Sequence, residues 1–210
     1  NDIIRHCVLR GSNTSTTRAV ILFSTAGTGS GNDNNTIESN DICDGVSTPA
    51  NGIYSAGTAS RENSNNSILN NHIYNYFNST SRSVGLNIGT NSTGWTVTGN
   101  RFFQTTERLF TSNVDIYGMW FNTGNGYTIS NNVVGFSDAA GTGTMNLVGN
   151  ATPIAGFPGS YTAATGTAIR FIGIVGNFSI GNPASSIDGN TVGGIAMYTS
   201  STGFSTYGNW

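Results

Sequence analysis

Three side chains of different chemistry, Asp41, His72 and Arg101, occupy the same position of a phrase that recurs along the 210-residue chain. Each follows an Asn and should face outward, and two residues further on Tyr74 and Phe103 follow His72 and Arg101. If successive repeats stack as neighbouring strands, about 4.8 Å apart, these residues form one outward column. Such a column could contact a sugar, with aromatic faces for the ring and charged groups for hydroxyls or carboxylates. In an enzyme, His72 could act as a base and Arg101 could neutralise a carboxylate.

The same column has a structural interpretation as a ladder of complementary charges on a solvated sheet, worth a few tenths of a kcal/mol per pair. Arg5 and Glu38 occupy equivalent positions of their repeats, so a cross-coil ion pair is expected there as well. Glycoside hydrolysis needs two carboxylates flanking the bond, about 5 to 9 Å apart. The ten acidic residues are spread over all repeats, which favours neither that pair nor a cluster of acidic calcium ligands.

The phrase itself is an aliphatic residue, two variable residues, Asn, one variable residue and a second apolar residue. Its starts at 37, 68, 97 and 129 lie 31, 29 and 32 residues apart, and a unit recurring at such a period indicates a solenoid. The copies are Ile37–Ile42, Ile68–Ile73, Val97–Phe102, Ile129–Val134 and Ile187–Val192, with a sixth, Ile4–Leu9, that carries Cys7 in place of Asn.

The Asn residues are expected where the chain bends between two short strands. An amide side chain offers both donors and acceptors, so stacked copies can hydrogen-bond along the axis, as Asn ladders do in cross-β stacks. The predicted structural ladder consists of Asn40, Asn71, Asn100, Asn132 and Asn190, and Cys7 would end it on one side.

A second set of apolar segments completes the coil. Val20, Ile53 and Val84 stand eleven residues after Leu9, Ile42 and Ile73, and we expect them to be aligned in successive turns. Each turn would then supply about three short strands. The longer interval between Ile129 and Ile187 predicts one coil that carries a loop insertion at 138–165, and such insertions often lie on a binding face.

On these repeats the chain resembles the right-handed parallel β-helix proteins of the pectin-lyase-like superfamily. The resemblance covers nearly the whole chain and implies an all-β fold, a right-handed parallel β-helix of about six coils with three short strands each. We expect a single β-helix segment over 1–210 that is open at both ends. Because Asn1 lies inside one repeat and Trp210 about one strand into another, we also expect it to be cut from a longer polypeptide. Members of this superfamily include polysaccharide lyases, glycoside hydrolases, phage tailspikes and bacterial surface adhesins, so the repeat indicates a fold more than a chemistry.

The amino-acid composition argues against several classes of function. Charged residues make up 9% of the chain, against about 25% in typical globular proteins. There is no Lys, and the eight Arg residues are scattered, which disfavours binding to nucleic acid. No apolar stretch is long enough for a membrane span, and two cysteines are too few for a disulfide framework. No cofactor or metal is expected, although 29–33, Gly-Ser-Gly-Asn-Asp, echoes half of a calcium-binding repeat.

These observations predict a non-enzymatic extracellular β-solenoid module of a bacterial secreted or cell-surface protein, acting as a stalk, an adhesin or a glycan-contacting surface. Its partners would be glycans and the flanking coils or domains of the same polypeptide. The alternative is a segment of a carbohydrate-active enzyme, a lyase or hydrolase, whose cleft runs past the outward column. An ice-binding solenoid ranks last, because Thr occupies no single column through successive coils.

Overall fold

The computed structural model describes residues 1–149 and 167–198. In this part of the chain, each coil contributes a short strand to each of several sheets, and strands of successive coils pair in parallel and in register. The predicted all-β parallel β-helix is therefore confirmed. The short strands suit this architecture because Ile, Val, Phe and Thr alternate with polar residues around each Asn corner.

Sheets I and II lie on either side of that corner, and each contains six described strands. The strands of sheet I, in spatial order, are Ile3–Arg5, Thr36–Glu38, Ser67–Leu69, Thr96–Thr98, Thr128–Ser130 and Ser186–Asp188. Those of sheet II are Val8–Gly11, Asp41–Asp44, His72–Tyr74, Arg101–Phe103, Val133–Gly135 and Thr191–Gly193.

Sheet III closes the coil, with longer strands toward the later coils. It contains Ile21–Phe23, Asn51–Ser55, Ser83–Ile88, Val114–Phe121 and Ile169–Gly176. A smaller sheet IV contains Arg108–Phe110, Met145–Gly149 and Ile195–Tyr198, and a two-stranded pair joins Asn63–Ser64 to Ser92–Thr93.

The core runs along the axis as columns of stacked apolar side chains. Sheet I contributes Ile37, Ile68, Val97 and Ile129, all almost fully buried, and sheet II contributes Ile42, Ile73, Phe102 and Val134. These are the two apolar positions of the repeated phrase. Burying a side chain of this size contributes about 1.5 to 3 kcal/mol, so each coil is held mainly by its neighbours.

The expected alignment of the second apolar segment was wrong by one residue at Val20 and by two residues at Val84. Ile53 pairs with Ile21 and Leu86 rather than with Val20 and Val84. The loops from sheet II to sheet III differ in length, since twelve positions separate Leu9 from Ile21, eleven separate Ile42 from Ile53, and thirteen separate Ile73 from Leu86. A fixed number of residues after sheet II therefore does not predict which residues of sheet III pair with each other.

A column of glycines in sheet III lets it approach sheet II. A Cβ added to Gly52 would lie 2.5 Å from Cγ2 of Ile73, and one added to Gly85 would lie 2.5 Å from Cδ1 of Phe102. Gly118 and Gly173 stand in the same relation to core valines of the later coils. Each glycine thus leaves room for the apolar side chain of the phrase in the adjoining sheet.

The region predicted as an insertion, 138–165, contains both a turn and a strand. Near its start, Asp138 accepts hydrogen bonds from the hydroxyl of Thr142 and from the backbone N of Thr142 at 2.8 Å, and these hydrogen bonds lower the pKa of its carboxyl. Met145–Gly149 then forms the middle strand of sheet IV instead of a loop, because Met145 and Leu147 are buried in the core. The remainder of the predicted insertion lies outside the described residues.

Candidate functional site

The corner between sheets I and II is made by a residue with positive φ in front of each ladder position. His6, Ser39, Asn70, Gly99, Asn131 and Gly189 have φ between 53° and 73°. Asn and Gly adopt this left-handed conformation with the least strain, and they fill four of the six positions. The corner points the following Asn inward and the residue after it outward on sheet II.

The Asn side chains form a continuous hydrogen-bonded ladder inside the helix. Nδ2 of Asn40 donates to Oδ1 of Asn71 at 3.0 Å, and Nδ2 of Asn100 donates to Oδ1 of Asn132 at 2.9 Å. The same oxygens also accept the backbone N–H of Asn40 and Asn100, and each Nδ2 reaches a strand carbonyl as well. The ladder continues to Asn190, so it satisfies polar groups that would be costly to bury unpaired.

At Cys7 the ladder ends. The backbone N of Cys7 donates to Oδ1 of Asn40 at 3.0 Å, but its side chain has no amide to continue the series. Its thiol is free and exposed, whereas that of Cys43 is free and buried.

The structure places Asp41, His72 and Arg101 on adjacent strands in one register column, facing outward from sheet II. Oδ1 of Asp41 lies 2.9 Å from Nδ1 of His72, and the two side chains are 42% and 44% exposed. Arg101 stands beside His72 and makes no ion pair with any described residue. The pair of Asp41 and His72 is thus an open, solvated contact.

The two predicted aromatic residues meet in this column as well. Tyr74 and Phe103 are stacked, with centroids 4.9 Å apart and planes 12° apart, and Phe103 also meets the edge of His72. Phe103 is only 5% exposed, so Tyr74 is the ring that solvent reaches. Burial, then a hydrogen bond to Cys43 and the nearby charge of Asp41, raise the pKa of Tyr74 to about 12.

Two other sequence expectations concern ions. Arg5 and Glu38 are register partners, but their side chains do not form the expected ion pair, which is consistent with the small contribution of exposed pairs to stability.

At the suggested calcium segment, Asp33 accepts the backbone N–H of Ser64 at 2.8 Å, and Asn32 donates to Oδ1 of Asn63 at 3.0 Å. These side chains therefore brace the second coil. Across the described residues, no group of three or more His, Cys, Asp or Glu is arranged to hold a metal.

Sequence reasoning missed a second corner with its own short ladder. Nδ2 of Asn35 donates to Oδ1 of Asn66 at 3.0 Å, and Asn34 and Asn65 before them have positive φ. The next coil places Trp95 at this position, and its Nε1 donates to the backbone O of Asn63 at 2.8 Å. The signal available in the sequence was a pair of Asn doublets one repeat apart, Asn34-Asn35 and Asn65-Asn66.

The outer face of sheet III was also missed. Val84, Tyr117 and Ile172 form a small buried cluster there, apart from the main core, with Trp120 packed against it. The signal was present in Ile116–Phe121, where Gly118 separates two stretches that alternate between core and outer face. It could not be used without the register across the variable loops.

No protein-family model matches the chain, and neither the curated proteins nor the solved structures include a match. Among the described residues, no helix is long and apolar enough to cross a membrane.

Proposed function

We propose that this chain is a non-enzymatic β-solenoid module of a secreted or cell-surface protein, related to the pectin-lyase-like β-helices. In this proposal, its stacked coils form a stiff support, and the outward column of sheet II contacts glycans. The observation that carries the proposal is the arrangement of Asp41, His72, Arg101 and Tyr74 as an open ladder on a continuous sheet.

The internal structure supports the role of a stiff support. Among the described residues, sheets I and II join six successive coils, sheet III joins five, and the buried Asn ladder links the coils inside, so bending the helix would strain many hydrogen bonds together. Adding coils lengthens such a module without new kinds of contact.

The outward column supports glycan contact. Tyr74 offers part of a ring that Phe103 holds in place from one side, and an aromatic ring held rigidly is suited to the apolar face of a sugar. Asp41, His72 and Arg101 place acceptors and donors next to it for hydroxyl groups. An extracellular location fits such a partner.

One observation favours the carbohydrate-active alternative. Asp41 holds Nδ1 of His72, which leaves Nε2 directed away from the carboxylate, and a carboxylate that orients an imidazole is a common feature of general-base sites. In that alternative, Arg101 would neutralise a substrate carboxylate. The two functions differ in whether a bound glycan is cleaved.

A glycan array followed by turnover assays on the glycans that bind tests the proposal. We expect retention of particular glycans, loss of retention in Tyr74→Ala, and no cleavage. Val133→Ala, a change in the same column away from Tyr74, is the control and should bind as the wild type does. Cleavage that disappears in His72→Ala would establish the enzyme instead, and an array without any retained glycan would remove the contact surface.

A further inference from the structure

The outer face of sheet III carries an arginine, Arg82, that forms no ion pair with a carboxylate of the described residues. The guanidinium of Arg82 lies over the ring of Trp120, 4.6 Å from its centroid, and Trp120 is stacked on Tyr117 at 5.0 Å. This packing fixes the guanidinium through a cation–π contact. Arg82 forms no ion pair with the described residues, and its Nε is buried without a hydrogen-bond partner among them.

Arg82 lines a cleft of about 440 Å³ together with Asn113, Val114, Asp115, Ala168 and Arg170. This volume is within the range of small-molecule sites. Asp115 is already engaged there, because Arg170 donates to its two oxygens, with Nε to Oδ1 at 2.6 Å. The hydroxyl of Tyr117 also donates to Asp115, at 3.4 Å.

The cleft is therefore rich in donors. Asp115 and Arg170 offset each other, which leaves the positive charge of Arg82 in excess. The sequence places no acidic residue in 150–166, the segment that precedes Ala168, so that segment cannot supply a balancing carboxylate. Asn113 uses its Oδ1 to accept the N–H of Ala168 at 2.7 Å, and its Nδ2 makes no hydrogen bond with a described residue.

We infer that this cleft binds the oxyanion group of a small acidic molecule, with Arg82 as the principal contact and Asn113 as a second donor. A guanidinium presents a planar set of donors that matches carboxylate and phosphate oxygens. Trp120 and Tyr117 hold Arg82 in position, so the donor set is preorganised. The acidic molecule is either an acidic saccharide or a free small anion, which share this chemistry.

Isothermal titration at low ionic strength, with D-glucuronate, acetate, inorganic phosphate and D-glucose as probes, tests the inference. The wild type should bind at least one of the anions and should not bind D-glucose. Arg82→Met keeps an apolar stem over Trp120 but removes the charge, and it should weaken anion binding by about tenfold or more. Arg5→Met, the same change at an exposed arginine of sheet I, is the matched control and should leave the affinity unchanged.

The relative affinities of the three anions distinguish an acidic saccharide from a free small anion as the ligand. Tighter binding of D-glucuronate than of acetate and phosphate indicates an acidic saccharide, whereas equal or tighter binding of the simple anions indicates a free small anion. Arg82→Lys, which retains the charge on a similar stem, should bind more tightly than Arg82→Met. Wild-type affinity in Arg82→Met, or no binding of any anion by the wild type, would overturn the inference. Because Arg82 lies beside sheet III and outside the sheet II column, failure here leaves the proposed glycan contact of that column to its own test.

Discussion

Oδ1 of Asn100 accepts two hydrogen bonds from Asn71, one from its Nδ2 at 3.0 Å and one from its backbone N at 2.9 Å. Both residues are fully buried. One side-chain oxygen thus satisfies two buried donors of the preceding coil, and the rung above and the rung below repeat the arrangement.

Asn100→Ala should be strongly destabilising, because it leaves two buried donors of Asn71 without an acceptor. Each orphaned donor costs about 1 to 3 kcal/mol, so we expect a loss of at least about 2 kcal/mol in the free energy of unfolding. Urea denaturation measures it. Asn190→Ala, at the partly exposed end of the ladder, is the control and should cost less, since water can replace its contacts. An equal loss of unfolding free energy in the two variants would mean that burial does not determine how much a ladder residue contributes to stability.

Gly85→Ala should destabilise the helix by overpacking. The new Cβ would lie 2.5 Å from Phe102 and 2.7 Å from the backbone O of Gly85's neighbour in the column, Gly118. Overpacking of this kind costs about 1 to 3 kcal/mol. Gly27→Ala is the matched change, since a Cβ there meets nothing within 4 Å. Thermal unfolding should separate the two variants, and a wild-type midpoint for Gly85→Ala would contradict the close approach of the two sheets.

Tyr74 should ionise late in an alkaline titration. Burial and the nearby Cys43 and Asp41 raise its pKa to about 12, above the usual tyrosine pKa of about 10. Because the folded pKa is raised, the stability contributed by the neutral phenol is complete below pH 10 and is lost as the pH rises toward 12. The difference in absorbance at the phenolate band between wild type and Tyr74→Phe should have its midpoint near 12. A midpoint near 10 would contradict the predicted influence of burial, Cys43 and Asp41 on the phenol.

Cys7→Asn should stabilise the first coil by extending the ladder. The backbone N of Cys7 already donates to Oδ1 of Asn40, and an Asn at this position would add an Nδ2 donor to the same oxygen. We expect a gain of about 0.5 to 1.5 kcal/mol, the usual net worth of one hydrogen bond. Cys7→Ala removes the thiol without adding a donor and serves as the reference. Equal stability of the two variants in urea would argue that the exposed end gains nothing from the added amide.

The sequence was sufficient to predict the parts of the fold that repeat at a constant distance. The corner at Asn71, the core positions Ile68 and Ile73, and the column of Asp41, His72 and Arg101 all follow from one phrase because no loop of variable length interrupts it. Stacking of Tyr74 on Phe103 required only that register.

Beyond the phrase, the sequence was not sufficient. The loops into sheet III change length from coil to coil, so nothing in the sequence showed that Val84 leaves the core and joins Tyr117 on the outer face. The cleft beside Arg82 depends on that register and on a pair, Asp115 and Arg170, that lies 55 residues apart in the chain. Contacts across such an interval follow from the three-dimensional structure and not from a period.

The Asn ladder also makes the interior of the helix tolerant of changes in length. Every internal rung receives donors from one side and gives donors to the other, as Asn71 does between Asn40 and Asn100. A duplicated repeat inserted between two such rungs would find both of its neighbours already compatible, whereas one placed before Cys7 would find no side-chain acceptor. Gene duplication can therefore lengthen this protein most readily from within.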